Sequence, residues 1–373
     1  MAYKNKTIGL ALSGGGFRAT LFGLGSLWRL NEVGLLKALD RITSVSGGSI
    51  LAGYLGLHWK SLAFSGGVAT NFHTVIVEPI RAFCGKTIDV SAGLKGIFTP
   101  FKSAGEFLSG AYDKDLFKRA TTRDLPIGPG EAQPATGPVF VIYATNMQTG
   151  RSFRFTQGYV ADYYLGINRA TSYPLATAVT ASSAFPPVFS PIEIKANPAD
   201  WEKPQLEGHA ALAHLQSKIM LADGGVYDNM GLQALLDNVD MLLVSDAGAP
   251  FAMELSPKGN YLSQLGRVRD ILIDQTRALR KSSLIDDFTA QRRLGTYWGV
   301  ATQIRNYKIP TLVKDSATTA ALQEMPTRLN KFDDRAQGRL INWGYALCDA
   351  ALRRHVDPAL HAATGQPVPG FAL

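Results

Sequence analysis

The stretch Thr7-Ile8-Gly9-Leu10-Ala11-Leu12-Ser13-Gly14-Gly15-Gly16-Phe17-Arg18-Ala19 decides how this chain folds. Thr7 to Leu12 reads as a buried strand. Ala19 to Leu30 reads as a helix, with Leu21, Leu24, Leu27, Trp28 and Leu30 supplying apolar positions at helical spacing. The three glycines therefore occupy a strand-to-helix loop. Such a loop exposes consecutive N–H groups at the positive end of a helix dipole, where they stabilise an anion without any side chain. A phosphate and an oxyanion both answer to that description.

A second block follows. Leu39 to Thr43 is short and partly apolar, Ser44-Val45-Ser46-Gly47-Gly48-Ser49 is a run of small residues, and Ile50 to Leu55 continues without a breaker. The pattern predicts strand, tight turn and buried helix. In a G-x-S-x-G elbow the serine sits at the tip of a strained turn, and its neighbours are small because strand and helix nearly touch there. Here Ser44 stands where the pattern has glycine. Acyl transfer needs a hydroxyl to attack a carbonyl and N–H groups aimed at the oxygen that becomes negative. The turn and the glycine loop together supply both, although a small-residue turn without chemistry is the commoner reading of so short a serine pattern taken on its own.

The third block is an acid. Lys218-Ile219-Met220-Leu221-Ala222 is strand-like and ends in Asp223-Gly224-Gly225, followed by Val226-Tyr227-Asp228-Asn229 and a helix-like Met230 to Leu235. A carboxylate at the end of a strand projects from the C-terminal edge of a sheet, where catalytic groups gather, although Asp-Gly is also a common turn. A competing reading treats Gly14-x-Gly16-x-x-Ala19 as a dinucleotide fingerprint, with Glu32 or Asp40 as the ribose-binding acid. That fold places the acid at the end of a second strand, whereas Glu32 lies in a helical stretch and Asp40 just precedes the serine turn.

Taken in order, Ser13 to Ala19, Ser44 to Gly48 and Asp223-Gly224-Gly225 resemble the three signature blocks of patatin-like phospholipases, a core shared with cytosolic phospholipase A2. Ala144 to Gly150 and the run Ala178-Val179-Thr180-Ala181-Ser182-Ser183-Ala184-Phe185-Pro186-Pro187-Val188-Phe189 have the look of the same family, and the resemblance covers Lys6 to Pro250. It implies a lipid acyl hydrolase with a serine–aspartate dyad. Ser46 would attack the ester carbonyl, Asp223 would take its proton, and the backbone of Gly14, Gly15, Gly16 and Gly47 would hold the oxyanion, with no metal or other cofactor. Arg18, beside the loop, would support it or meet a lipid phosphate; a surface arginine capping carbonyls is the plain alternative. A catalytically degenerate fold that binds lipid or acts as a scaffold is the nonenzymatic alternative.

An ordinary Ser-Asp-His order can be forced from Ser46, Asp223 and His355 or His361, but an α/β-hydrolase serine follows several strands and this one follows too few. His355 ends a basic helix, and His58, His73, His209 and His214 show no metal-ligand spacing. Cys84 and Cys348 give no disulfide framework and are expected to be reduced and buried. The apolar run at Ile8 to Leu12 is too short for a signal peptide, and no stretch is long and apolar enough to span a bilayer. These features predict a cytoplasmic enzyme that reaches lipid from outside as a peripheral membrane contact. The net charge of +8 favours an anionic surface, and no aromatic-basic motif selects nucleic acid.

Strands at Pro138 to Tyr143, Arg151 to Gln157 and Met241 to Ser245, alternating with helices, predict a three-layer α/β/α fold around a mostly parallel sheet. The expected division is a catalytic core over 1–250, with a helical insertion near 60–125 bearing Phe64, Phe72, Phe83, Phe98, Phe101, Phe107 and Phe117, and a mainly helical extension over 251–373. In that extension, Leu265, Val268, Leu272, Thr276 and Leu279 mark one face of a long amphipathic helix expected to pack on the sheet. Tyr297 to Ile304 reads as a final strand. Leu340, Trp343, Leu347 and Ala351 mark another helix face.

Overall fold

The computed structural model describes residues 5–88, 104–131, 134–187, 189 and 191–373; Phe98, Phe101 and Val188 lie outside the described residues. Among these residues the chain builds one eleven-stranded sheet and a separate two-stranded ribbon, Phe64–Ser65 with Val68–Ala69. The strands of the large sheet are β1 Ile8–Leu12, β2 Arg41–Val45, β3 Val139–Asn146, β4 Arg151–Phe155, β5 Val160–Asp162, β6 Gly166–Asn168, β7 Ile192–Lys195, β8 Trp201–Glu202, β9 Lys218–Asp223, β10 Met241–Asp246 and β11 Leu294–Gly299.

Strand direction divides the sheet. Its centre, in the order β3-β2-β1-β10-β11, is parallel throughout. Beyond β3 the strands β4, β5, β6 and β8 continue antiparallel, joined in part by tight turns such as Met147 to Gly150. The expected α/β fold with its parallel core is present, enlarged by this antiparallel flank. The final strand forms at Leu294–Gly299, slightly earlier than the sequence suggests, because its register with Met241–Asp246 fixes both ends.

Alternation along each central strand sends side chains to two unequal faces. Leu10, Leu12, Ile42 and Leu243 enter the larger core. It is covered by α1 Gly16–Glu32, α2 Gly47–Leu57, α3 Ala104–Tyr112, α4 Leu175–Ser183 and a later helix, Asp334–His355. Ala11, Leu242 and Val244 face a smaller cluster closed by Leu232, Leu235 and Leu284, and Val45, Val141 and Tyr143 pack on Ala234. In the helix Asp334–His355, Leu340, Trp343, Leu347 and Ala351 are buried as their spacing predicts. Both cysteines are buried and unpaired. Among the described residues no helix is long and apolar enough to cross a membrane.

The other long helix, α5 Tyr261–Thr289, reverses the expectation. Leu265, Val268, Leu272 and Leu279 face solvent, and Leu284 is its buried side chain. The inward side carries arginines instead. Arg277 reaches the buried carboxylate of Asp246 at 2.8 Å, and Tyr297 donates to the same carboxylate at 2.8 Å. An ion pair anchored at the end of β10 thus outweighs the apolar stripe in setting how the helix is rotated.

Candidate active site

Ser46 and Asp223 meet because two strands end against one edge of β3. β2 runs parallel to β3 and stops with Val45 opposite Tyr143, whereas β9 runs antiparallel and stops with Asp223 opposite Ala144. The two strand ends therefore point at each other across adjacent register positions. The Ser46 side chain faces the Asp223 carboxyl closely enough to lower its pKa, and the Gly225 N–H donates to Asp223 Oδ1 at 2.7 Å. Both residues are buried. Burial raises the Asp223 pKa from 3.8 to about 6, and the Gly225 bond and the facing Ser46 side chain hold back a larger rise. The carboxylate is thus the better proton acceptor for its desolvation.

Ser46 has φ 51° and ψ −118°, a backbone conformation that side-chain-bearing residues rarely adopt. It persists because the surroundings fix it. Its carbonyl accepts from the N–H groups of Ser49 and Ile50, and its own N–H donates to Ser182 Oγ at 2.9 Å. Ser182 Oγ lies 2.8 Å from Ser49 Oγ, which donates to Ser44 Oγ at 2.9 Å. Ser44 in turn donates to the Val141 carbonyl at 3.4 Å. Each hydroxyl has one proton, so Ser182 must be the donor to Ser49, and the chain of serines runs in one direction from Ser46 N to β3. Ser44 belongs to β2, where extended backbone needs no glycine, and its hydroxyl anchors this chain.

The glycine loop closes the other side. Gly15 has φ 138° and Gly16 has φ 55°, and a Cβ on Gly16 would lie 2.3 Å from the Thr327 carbonyl. A Cβ on Gly47 would lie 1.9 Å from the Gly16 carbonyl, so the start of α2 rests directly on the start of α1. Gly16 and Gly47 are the first residues of their helices, and their N–H groups have no partner within them. Gly15 caps α1, and among the described residues its N–H has no acceptor. Gly14 differs from the expectation. Its N–H already donates to the Asn229 carbonyl at 2.9 Å, although its Cα lies beside the Ser46 side chain.

Arg18 is buried under the loop. Its Nε and Nη2 donate to the Ala247 carbonyl, and Nη1 donates to Gln323 and Met325, each at 2.7 Å. Burial first, and Arg277 second, pull its pKa down to about 10, which leaves it charged at neutral pH. Its donors clamp carbonyls, so the geometry matches loop support and leaves no guanidinium face at the surface for a lipid phosphate.

Other candidates fall elsewhere. Asp40 accepts from the Ile8 N–H, and Glu32 engages Arg29 and Tyr345, so neither is free for a ribose. His355 packs against Tyr307, and His361 offers its carbonyl to Arg29. Among the described residues no histidine bonds to Ser46 or Asp223.

Three residues near the site were not singled out in the sequence. Ser182 sat in a quoted run without a role; its bond to Ser46 joins residues 136 positions apart, a distance no local pattern reveals. Asp228 accepts from four backbone N–H groups, Met230 to Gln233, and fixes the turn after β9. Asn229 Oδ1 sits where a side chain on Gly14 or Gly225 would go.

A serine in a tight strand-to-helix turn, a glycine loop and a buried carboxyl thus gather at one edge of an α/β sheet. Residues 10–236 match the patatin-like phospholipases, and the chain belongs to that family. A segment of 64 residues is 44% identical to Lysophospholipase 1 of Candida albicans, covering 15% of this chain and 11% of that protein. Human GIVD cytosolic phospholipase A2 shares the fold, with a TM-score of 0.50 and 11% identity over 91% of this chain and 58% of its own. The chain therefore spans less than two thirds of the length of either protein.

Proposed function

We propose that this chain hydrolyses carboxylic ester bonds of phospholipids or lysophospholipids through an acyl-enzyme on Ser46. The observation that carries the reading is that two strand ends bring the Ser46 side chain up to the buried Asp223 carboxyl beside a glycine loop. Family membership and the similarity to a lysophospholipase support the substrate class. Ser46 Oγ attacks the ester carbonyl carbon while Asp223 takes its proton, and the carbonyl oxygen becomes negative. The N–H groups of Gly15, Gly16 and Gly47 receive that oxygen. Collapse breaks the bond to the leaving alcohol, which takes the proton from Asp223. Water then attacks the acyl-enzyme, Asp223 accepts its proton, and fatty acid leaves as Ser46 regains a hydrogen. Each oxyanion donor is worth about 3 kcal/mol of the barrier in comparable sites. Arg18 acts here by holding Ala247 against the loop.

The test is lipid mass spectrometry of mixed phosphatidylcholine–phosphatidylglycerol vesicles incubated with the full chain. The expected products are free fatty acid and lysophospholipid; unchanged lipid would contradict the reading. The same assay reads the pH dependence. Asp223 must be ionised to accept a proton, and its pKa is raised to about 6, so activity rises through pH 6 and levels above it. A profile flat across that range would remove Asp223 as the base.

Ser182→Ala tests the serine chain. It leaves the buried Ser46 N–H without an acceptor, a penalty of roughly 1–3 kcal/mol. The expected result is a kcat about tenfold lower or worse with KM unchanged, since Ser182 acts through Ser46 rather than on lipid. An unchanged kcat would show that Ser46 is held without it.

A further inference from the structure

The rotation of α5 leaves an apolar stripe pointing away from the protein. Tyr261, Leu265, Val268, Leu272 and Leu279 recur at helical spacing and are each 50–76% exposed. The opposite side grips the core through Arg277 on Asp246, Arg280 beside Asp228, and Lys281 over the Tyr297 ring. The segment leading into the helix adds Met253 and Leu255, 91% and 103% exposed. Apolar exposure on this scale, gathered on one element, marks a binding surface.

Its position ties it to the site. The segment leaves β10 at Asp246, on the sheet edge where Ser46 and Asp223 meet, and its first carbonyl, Ala247, packs against Gly15. Arg269 of α5 donates to the Pro186 carbonyl and lies over the Phe185 ring. One residue earlier, the Ala184 carbonyl holds the Asp223 N–H at 3.0 Å. Phe185 and Val226, both partly exposed, continue the apolar surface toward Asp223.

We propose that α5 and the segment 247–260 seat the protein on an anionic lipid bilayer, with the Ser46 edge of the sheet facing the membrane. The surface is a convex helix with protruding side chains, which suits a deformable apolar phase. Of the cations flanking the stripe, Arg267 is held by Glu254 and the Ala252 carbonyl, and Arg269 pairs with Asp270. Exposed Lys258 and the half-exposed Arg269 are the ones placed to meet headgroup phosphates while the leucines enter the acyl boundary. Arg267 already stacks on Phe251 at 4.1 Å, at the base of the protruding segment. The net charge of +8 adds long-range attraction to such a surface. The assignment rests on the lipid-hydrolase reading for its orientation, but binding is measured without turnover.

The experiment compares the full chain with the triple variant Leu255→Gln/Leu265→Gln/Leu272→Gln. Co-sedimentation with phosphatidylglycerol–phosphatidylcholine vesicles reads binding, while a soluble short acyl ester and the melting temperature read the site and the fold. The expected result is vesicle partitioning weakened about tenfold or more, with melting temperature and short-ester turnover unchanged. Partitioning that is equal in both proteins, or absent in the parent, would overturn the proposal. So would a concentration-dependent dimer of the parent that the variant abolishes, since the stripe would then belong to a second copy. If neither protein cleaves the ester but the variant alone loses vesicle binding, the hydrolase reading fails and the docking surface stands.

Discussion

Ser46→Ala is expected to give a folded protein whose ester hydrolysis falls by about 10⁵-fold or more. The serines bonded around it cannot substitute in place. Ser44, Ser49 and Ser182 donate their protons along a chain that ends at Val141, and they sit behind the Ser46 backbone instead of against the Asp223 carboxyl. Alanine keeps the Ser46 N–H bond to Ser182 and the two bonds to its carbonyl, so the turn should survive. Fatty-acid release from vesicles and turnover of a soluble acyl ester both measure the loss. Retained turnover in a protein of unchanged melting temperature would show that the serine is structural.

Asp223→Asn is expected to lower kcat by about 10⁴-fold, since the amide cannot take the Ser46 proton. The substitution keeps the shape of the side chain and an oxygen for the Gly225 N–H. It also separates catalysis from folding. The wild-type carboxyl has a folded-state pKa raised from 3.8 to about 6 by burial, so its ionised form costs stability. That cost is absent below the unfolded value of 3.8, grows as pH rises toward 6, and is complete above it. Asparagine never ionises. The variant should therefore melt at or above the wild-type temperature at pH 8 and converge on it near pH 4 when the two are compared by calorimetry. A variant that is inactive and less stable at pH 8 would assign Asp223 a structural part.

What the sequence revealed about this site was local. β1 with the glycine loop and α1, the strand and turn ending at Ser46, and the strand ending at Asp223 are each contiguous patterns of hydrophobicity and small residues, and each appears where its pattern predicts. What it concealed depends on tertiary partners. Alternating residues in Arg151–Phe155 announce a strand but not its direction, so the antiparallel flank could not be read. The stripe on α5 was legible as a stripe, while its outward rotation follows from Asp246, which meets Arg277 and Tyr297 only after folding. Gly14 looked equivalent to its neighbours until the Asn229 carbonyl claimed its N–H. Ser44, the departure from the elbow pattern, gains its reason from Ser49 and Val141.

The pairing of Ser46 with Asp223 is tested most directly by the rate and site of fluorophosphonate labelling, mapped by peptide mass spectrometry in the parent and in Asp223→Asn. A single modified residue, Ser46, labelled at least about 100-fold more slowly in the variant, is the predicted result. Labelling of another residue, or equal rates in the two proteins, would contradict the dyad.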